Sequence, residues 1–219
     1  MCGRYTVRFT EATRLPAHLA QAVPQFAPRY NIAPQQKAPV IRQADGKHKV
    51  EELVWGFRPS WLKDKNKAQI NARAETLFLK PMFKQSALSR RCLVLATGWY
   101  EWQKQPGGKK QPYAFHLEHD ALFAFAGIWT RWHGEGEEAE ENYAIVTTGA
   151  NPLAAIVHSR MPVVLTGESC EQWLNEGPEQ ATELEALLKP YGAKDLDAYR
   201  VSTYVNKPSN TSAECLRAV

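Results

Sequence analysis

The chain has 219 residues, 44% hydrophobic and 23% charged, which is enough apolar material for one sizeable core and excludes a disordered polyelectrolyte. No apolar run reaches the length of a bilayer span and the first 30 residues lack the layout of a secretory signal, so a cytoplasmic protein with no membrane partner is expected. The formal net charge of +4 conceals a partition, because residues 1–112 hold 20 Lys+Arg against 7 Asp+Glu and residues 113–219 hold 7 against 16; such a basic half suits a polyanion such as nucleic acid, and equally a solvated surface whose charges merely segregated.

The chain opens "MCGRYT". A side chain as small as that of Cys2 permits removal of the initiator methionine, and Cys2 is then the expected mature N-terminus, its thiol two carbons from a free α-amine. An α-amine titrates at about 7.7–8.0 against about 10.4 for lysine, so it is the better imine former at neutral pH. An aldehyde that condenses with this amine can be attacked by the adjacent thiol, closing a five-membered thiazolidine. An internal cysteine cannot make that ring, because its nitrogen is an amide. The other reading makes Cys2 incidental, and position alone does not choose. Helical periodicity follows over 10–22, interrupted by Pro16.

The run "APVIRQADGKHKVEELVWGF" predicts two strands joined through Asp45-Gly46. In "VWGFRPSW", Arg58 and Trp61 stand beside the basic run "KDKNK" at 63–67. They read as phosphate and base ligands, or as a core tryptophan next to a solvated loop. "QINARAET" alternates Asn71, Arg73 and Glu75, so an extended segment turns all three to one side; the competing expectation is a loop entering a helix capped by Asn71 or Thr76. A helix is predicted over 80–89. The stretch from Cys92 to Trp132 reads as an antiparallel meander with turns at Pro106-Gly107-Gly108 and near His119-Asp120. Within it "GWYEW" sets Glu101 among Trp99, Tyr100 and Trp102. A carboxyl in that company is either held partly protonated, fit for general acid or base work, or simply the outward residue of an alternating strand. "GEGEEAEEN" at 134–142 predicts an exposed acidic loop. "IVHSRMPVVL" places His158 and Arg160 between an apolar helical turn and a strand, where a lone histidine is as a rule structural. Helices are predicted over 168–175 and 179–189.

Cys2, Cys92, Cys170 and Cys215 lie far apart with no C-x-x-C pair, so neither a disulfide framework nor a metal site is expected, and Cys92 reads as core. Without a repeat or a linker, residues 1–219 predict a single α+β domain built on mostly antiparallel, barrel-like sheet with flanking helices.

Taken together, "MCGRY", "YNIAP" at 30–34, "VWGFRPSW" at 54–61 (read from Val54), "INARAET" at 70–76, "GWYEW" at 98–102, "HSRMP" at 158–162 and "VSTYVN" at 201–206 resemble the SOS-response-associated peptidase family, in order and over nearly the whole chain. The resemblance implies a protein of the DNA damage response, without cofactor and acting as a monomer, that crosslinks itself covalently to abasic sites in single-stranded DNA. The open abasic sugar carries the aldehyde that an aminothiol needs. By motif, Cys2 is the nucleophile, Asn71 positions it or the opened sugar, Glu101 is the acidic catalytic residue, and His158 gives and takes protons. Arg4, Arg73 and Arg160 become phosphate contacts, and Pro34 and Trp61 line or wedge a bent strand. Many members of that family carry a second aromatic after the position of Trp61, whereas this chain has Leu62. Two other readings stand beside it: an autoprocessing cysteine peptidase that removes Met1, and a non-catalytic single-strand binding module.

Overall fold

The predicted strands form, but they divide between two sheets. In the computed structural model, which describes residues 2–8, 11–44, 46–134, 138–175 and 181–219 and only the backbone at Lys65, the elements in chain order are β1 (Arg4–Val7), α1 (Ala17–Ala22), β2 (Arg29–Ile32), β3 (Lys37–Ala44), β4 (Lys47–Trp55), β5 (Asn71–Arg73), α2 (Pro81–Ser89), β6 (Arg91–Ala96), β7 (Gly98–Lys104), β8 (Lys110–Leu117), β9 (Phe123–Trp132), β10 (Glu140–Gly149), α3 (Pro152–Ala155), β11 (Arg160–Pro162), β12 (Val164–Leu165), α4 (Glu168–Leu174), α5 (Ala181–Leu187) and β13 (Leu196–Arg200). One sheet runs β13-β8-β7-β1-β2. The other runs β11-β10-β4-β3-β6-β9-β12, and an additional β10–β9 pairing closes β4, β3, β6, β9 and β10 into a ring. Pairings are antiparallel except where β10 meets β4 and β5. This is the mixed, mostly antiparallel and barrel-like architecture expected.

Burial explains the sequence patterns. Every residue of β6 is buried, and a strand covered on both faces reads as a continuous apolar run. Tyr5, Trp55, Trp99, Phe125 and Tyr143 fill the space between the sheets, with Tyr5 edge-on to Trp55 at 5.1 Å and to Phe125 at 5.9 Å. The Tyr5 and Tyr143 hydroxyls satisfy each other at 2.6 Å, which removes the cost of burying two phenols.

The meander expected from Cys92 to Trp132 is broken. β6 pairs with β3 and β9, and β7 pairs with β1 and β8, so the chain changes sheet between Ala96 and Gly98. Between Cys92 and Trp132 only β7 and β8 form a hairpin, across a turn in which Gly107 and Gly108 take φ of 77° and 79°, values open to glycine at no steric cost. The turn near residue 119 is also present, with His119 and Asp120 both left-handed. The helix expected over 10–22 is confined to Ala17–Ala22; Pro16 stands before its first turn and its carbonyl accepts the Ala20 N–H at 2.9 Å. Upstream, Thr13 makes a bridge to Leu122, and residue 10 lies outside the described residues. The acidic loop is shorter than expected, because Glu140–Asn142 already belong to β10, and 135–137 lie outside the described residues. So do Asp45 of the first turn and 179–180 of the last predicted helix.

Candidate active site

The N-terminal strand carries Cys2 to the middle of the molecule. β1 pairs with β7 in the register Arg4–Tyr100 and Tyr5–Trp99, and one step further along that antiparallel ladder brings Gly3, with Cys2 beside it, level with Glu101. Cys2 is buried, and burial together with the nearby Glu101 charge pushes its thiol up. β5 approaches from the other sheet: it pairs in parallel with β10, Asn71 opposite Ile145 and Arg73 opposite Thr147. That register turns the Asn71 amide toward the N-terminus, where Nδ2 donates to the Cys2 carbonyl at 2.8 Å. Asn71 Oδ1 is buried and accepts no hydrogen bond among the described residues.

Glu101 is 4% exposed, so it is not the outward residue of a simple alternation. Burial raises its carboxyl above the ordinary range, and the charge of His158 acts in the opposite direction. His158 arrives from the far side. Asn151 caps α3 by accepting the Ala154 N–H at 2.8 Å, and Pro152 starts the helix where its missing N–H costs nothing. The helix lasts one turn, and the chain then enters β11 with the Arg160 N–H donating to His158 Nδ1 at 3.0 Å. A nitrogen that accepts is not protonated, so neutral His158 carries its hydrogen on Nε2. Glu101, Trp102, Lys104, Lys110, Ile156 and His158 line an open cleft of about 560 Å³. Cys2, Asn71, Glu101 and His158 therefore converge from β1, β5, β7 and the α3–β11 connection.

The residues assigned to phosphate differ in freedom. Arg73 is exposed. Arg160 is held: Nη1 and Nη2 donate to the two carboxylate oxygens of Glu75, Nη2 at 2.9 Å, and Nη2 also donates to the Thr147 carbonyl at 2.6 Å. Arg4 is half-buried and ties "YNIAP" to "VSTYVN", with Nη1 donating to Asn31 Oδ1 at 3.0 Å and to the Val205 carbonyl at 2.9 Å. The Asn31 amide continues the clasp by donating to the carbonyls of Lys207 and Asn210. Asn31 and Glu75 were given no role by sequence reasoning; both stand inside quoted motifs, and only the tertiary pairing reveals their partners. Pro34 sits half-buried in the β2–β3 turn, and Trp61 is 60% exposed. Leu62 is buried under Trp132, whose indole N–H donates to the Leu62 carbonyl at 2.8 Å. It belongs to the core and offers no second platform.

Two local expectations fail. Arg58 is not a phosphate ligand: it is buried, paired with Glu140, and stacked 4.0 Å from the Trp132 ring centroid. "NARAET" is neither one extended segment nor a helix cap, since β5 ends at Arg73, Ala74–Thr76 form a 3₁₀ turn, and no side chain caps it.

A family model described as SOS response associated peptidase (SRAP) matches residues 1–208. The abasic site processing protein YoqW of Bacillus subtilis is 38% identical over 224 residues, all of both chains being covered. The abasic site processing protein YedK of Escherichia coli is 32% identical over 228 residues, again across both chains. A crystal structure of a protein from Bacteroides thetaiotaomicron superposes with a TM-score of 0.79 at 29% identity, covering 97% of this chain and 92% of that one.

Proposed function

Because the chain belongs to the SOS response associated peptidase family, we propose that it processes abasic sites in single-stranded DNA, its 219 residues acting as one domain and Cys2 forming a thiazolidine with the open sugar. The observation that carries this reading is the meeting of Asn71 and Glu101 at Cys2, with His158 beside Glu101 in the cleft. Met1 is removed first, by the chain itself or by an aminopeptidase, and leaves the α-amine of Cys2 free. Asn71 then serves with both ends of its amide: Nδ2 holds the Cys2 carbonyl, and the buried Oδ1 is the acceptor that a new amine requires.

A buried thiol with a raised pKa is a poor thiolate source, so the amine reacts first. Its lone pair attacks the aldehyde carbon, the carbinolamine loses water, and an imine results. The thiol then adds across that C=N bond: sulfur takes the carbon, and its proton ends on nitrogen. Glu101, protonated more readily than an exposed carboxyl, and His158, donating from Nε2, move protons for the dehydration and the closure. An imine left uncaptured promotes elimination of the 3′ phosphate and strand cleavage, so ring closure competes with lyase chemistry. The same raised thiol pKa speaks against a conventional cysteine peptidase acting on other chains, which needs the thiolate.

The test uses abasic single-stranded DNA on denaturing gels, with mass spectrometry of the N-terminus, for trimmed protein, protein retaining Met1, and trimmed Cys2→Ala. Trimmed protein is expected to give an adduct that survives denaturation. Cys2→Ala retains an amine and is expected to form only an imine trappable by borohydride, with some nicking. A stable adduct from protein confirmed to retain Met1 would sink the aminothiol mechanism, because an amide nitrogen cannot form the imine.

A further inference from the structure

We infer that Glu75 sets the protein's preference against undamaged strands, by occupying in the free protein the seat on Arg160 that a DNA phosphate takes. The inference rests on the phosphate role proposed for Arg160 and adds a competitor for it.

The contact is bidentate, both carboxylate oxygens accepting from Nη1 and Nη2 of Arg160. That fork-on-fork geometry is the one by which arginine holds phosphate. Of the three guanidinium hydrogens left over, two are not open to a strand. Nη2 is also committed to the Thr147 carbonyl at 2.6 Å, and Nε is buried, donating to nothing among the described residues. The order of the two groups from the outside is read from exposure: the Glu75 side chain is 55% exposed and that of Arg160 is 14% exposed. The carboxylate is therefore the member of the pair that solvent, and an arriving strand, reaches more freely. Arg73, two residues before Glu75 and itself exposed, is near enough for its charge to act on Glu75 as well. One carboxylate thus stands between two cations assigned to phosphate.

An ion pair with one partner this exposed is weak enough for a phosphate to exchange into it, so Glu75 lowers affinity without closing the site. The cost falls on every strand equally. A lesion repays it through the covalent bond, and an undamaged strand cannot. Undamaged single strands, which greatly outnumber abasic sites, are then released quickly. If Glu75 were only a brace for Arg160, its loss would weaken DNA binding.

The experiment compares wild type and Glu75→Gln for equilibrium binding of an undamaged oligothymidine, across a range of salt concentrations. The glutamine keeps the size and one acceptor but not the charge. Affinity is expected to rise about 3- to 10-fold, with the slope of log affinity against log salt steeper than that of wild type, because a phosphate reaching Arg160 no longer frees a carboxylate that takes up cations in its place. In an Arg160→Gln background the same change is expected to give no gain. With excess undamaged oligothymidine present, Glu75→Gln is expected to crosslink an abasic strand more slowly than wild type. If Glu75→Gln melts early, Glu75→Ala is read in its place with the same expectations. An affinity that falls or stays level, with an unchanged slope, overturns the inference. If wild type crosslinks abasic DNA while that result is obtained, the inference fails and the proposed function stands; if wild type forms no adduct at all, the proposed function fails first.

Discussion

Glu101 carries its burial as a pH-dependent cost to the fold. Its carboxyl lies above the ordinary range because ionising it inside the protein is unfavourable. The folded chain therefore holds the proton more tightly than the unfolded chain, and stability falls as pH rises from the ordinary carboxylate value, about 4.3, through the raised folded value. Glu101→Gln removes that proton-binding difference. The variant is expected to melt above wild type near pH 8, with the gap closing as pH is lowered below 4; a gap independent of pH would return Glu101 to a neutral core position. In catalysis the sign is opposite. Glu101→Gln and His158→Ala are each expected to slow adduct formation by about 10²- to 10⁴-fold, the usual contribution of positioned proton transfer, while affinity for undamaged strands stays close to wild type. Single-turnover rates beside equilibrium binding separate the two effects. The sequence left Glu101 between an outward residue and an acid, because alternation along β7 assigns a face but not what covers it. The cover comes from the segment around Cys2, about a hundred residues away in the chain, and from His158 across the cleft.

At the level of elements, β7 positions Glu101, the proposed acid, and the packing beneath its first residue fixes β7. A Cβ on Gly98 would lie 2.5 Å from the Phe115 carbonyl oxygen and 3.3 Å from Thr6 Oγ1, on the two strands that flank it. Gly98→Ala must therefore push β7 away from β8 or β1. A forced shift of this kind costs about 1–3 kcal/mol, and each kcal/mol corresponds to about 2–4 °C in a chain of this size. The expected result is a fall in Tm of several degrees, together with an adduct rate reduced more than DNA affinity, since Glu101 moves with the strand while Arg73 and Arg160 lie on β5 and β11. Equal losses in rate and affinity would show that Gly98 supports the whole fold rather than the acid. Gly98 also marks what the sequence concealed. Apolar runs and turn residues made the strands legible one by one, and the Pro-Gly-Gly turn identified the β7–β8 hairpin. The passage from β6 into β7 looks like any other tight turn, yet there the chain leaves the ring for the second sheet. Local signals report strands and turns, and partner choice is decided by packing between distant residues. Cys2 and Glu101, the proposed nucleophile and acid, were legible as motifs, whereas the Arg4–Asn31 clasp and the Arg160–Glu75 pair required the fold.

At the scale of the molecule, the partition of charge means less than the count suggests. Folding brings the basic half onto the acidic half: Arg58 pairs with Glu140, Arg42 with Glu141, Arg8 with Asp120 and Arg14 with Glu118. At least four of the basic half's charges are thus matched within the protein, and Arg42 and Arg58 are buried besides. Two pictures of strand binding then differ by a measurable amount. If the whole excess of 13 positive charges over residues 1–112 sheathed the DNA, the slope of log affinity against log salt would approach about −9, at about −0.7 per single-strand phosphate contact. If only Arg4, Arg73 and Arg160 reach phosphates, it is about −2. The paired arginines lower the first value, and the contact set proposed for the site gives the second. Titration of an undamaged oligothymidine between 50 and 300 mM salt, values chosen to span about a twofold change in screening length, is expected to give a slope near −2. Arg73→Ala is expected to flatten it by about 0.7, while Arg58→Ala lowers Tm and leaves the slope unchanged. A slope several units steeper would mean that the strand follows basic surface well outside the cleft, and the compact contact set assigned to Arg4, Arg73 and Arg160 would have to be abandoned.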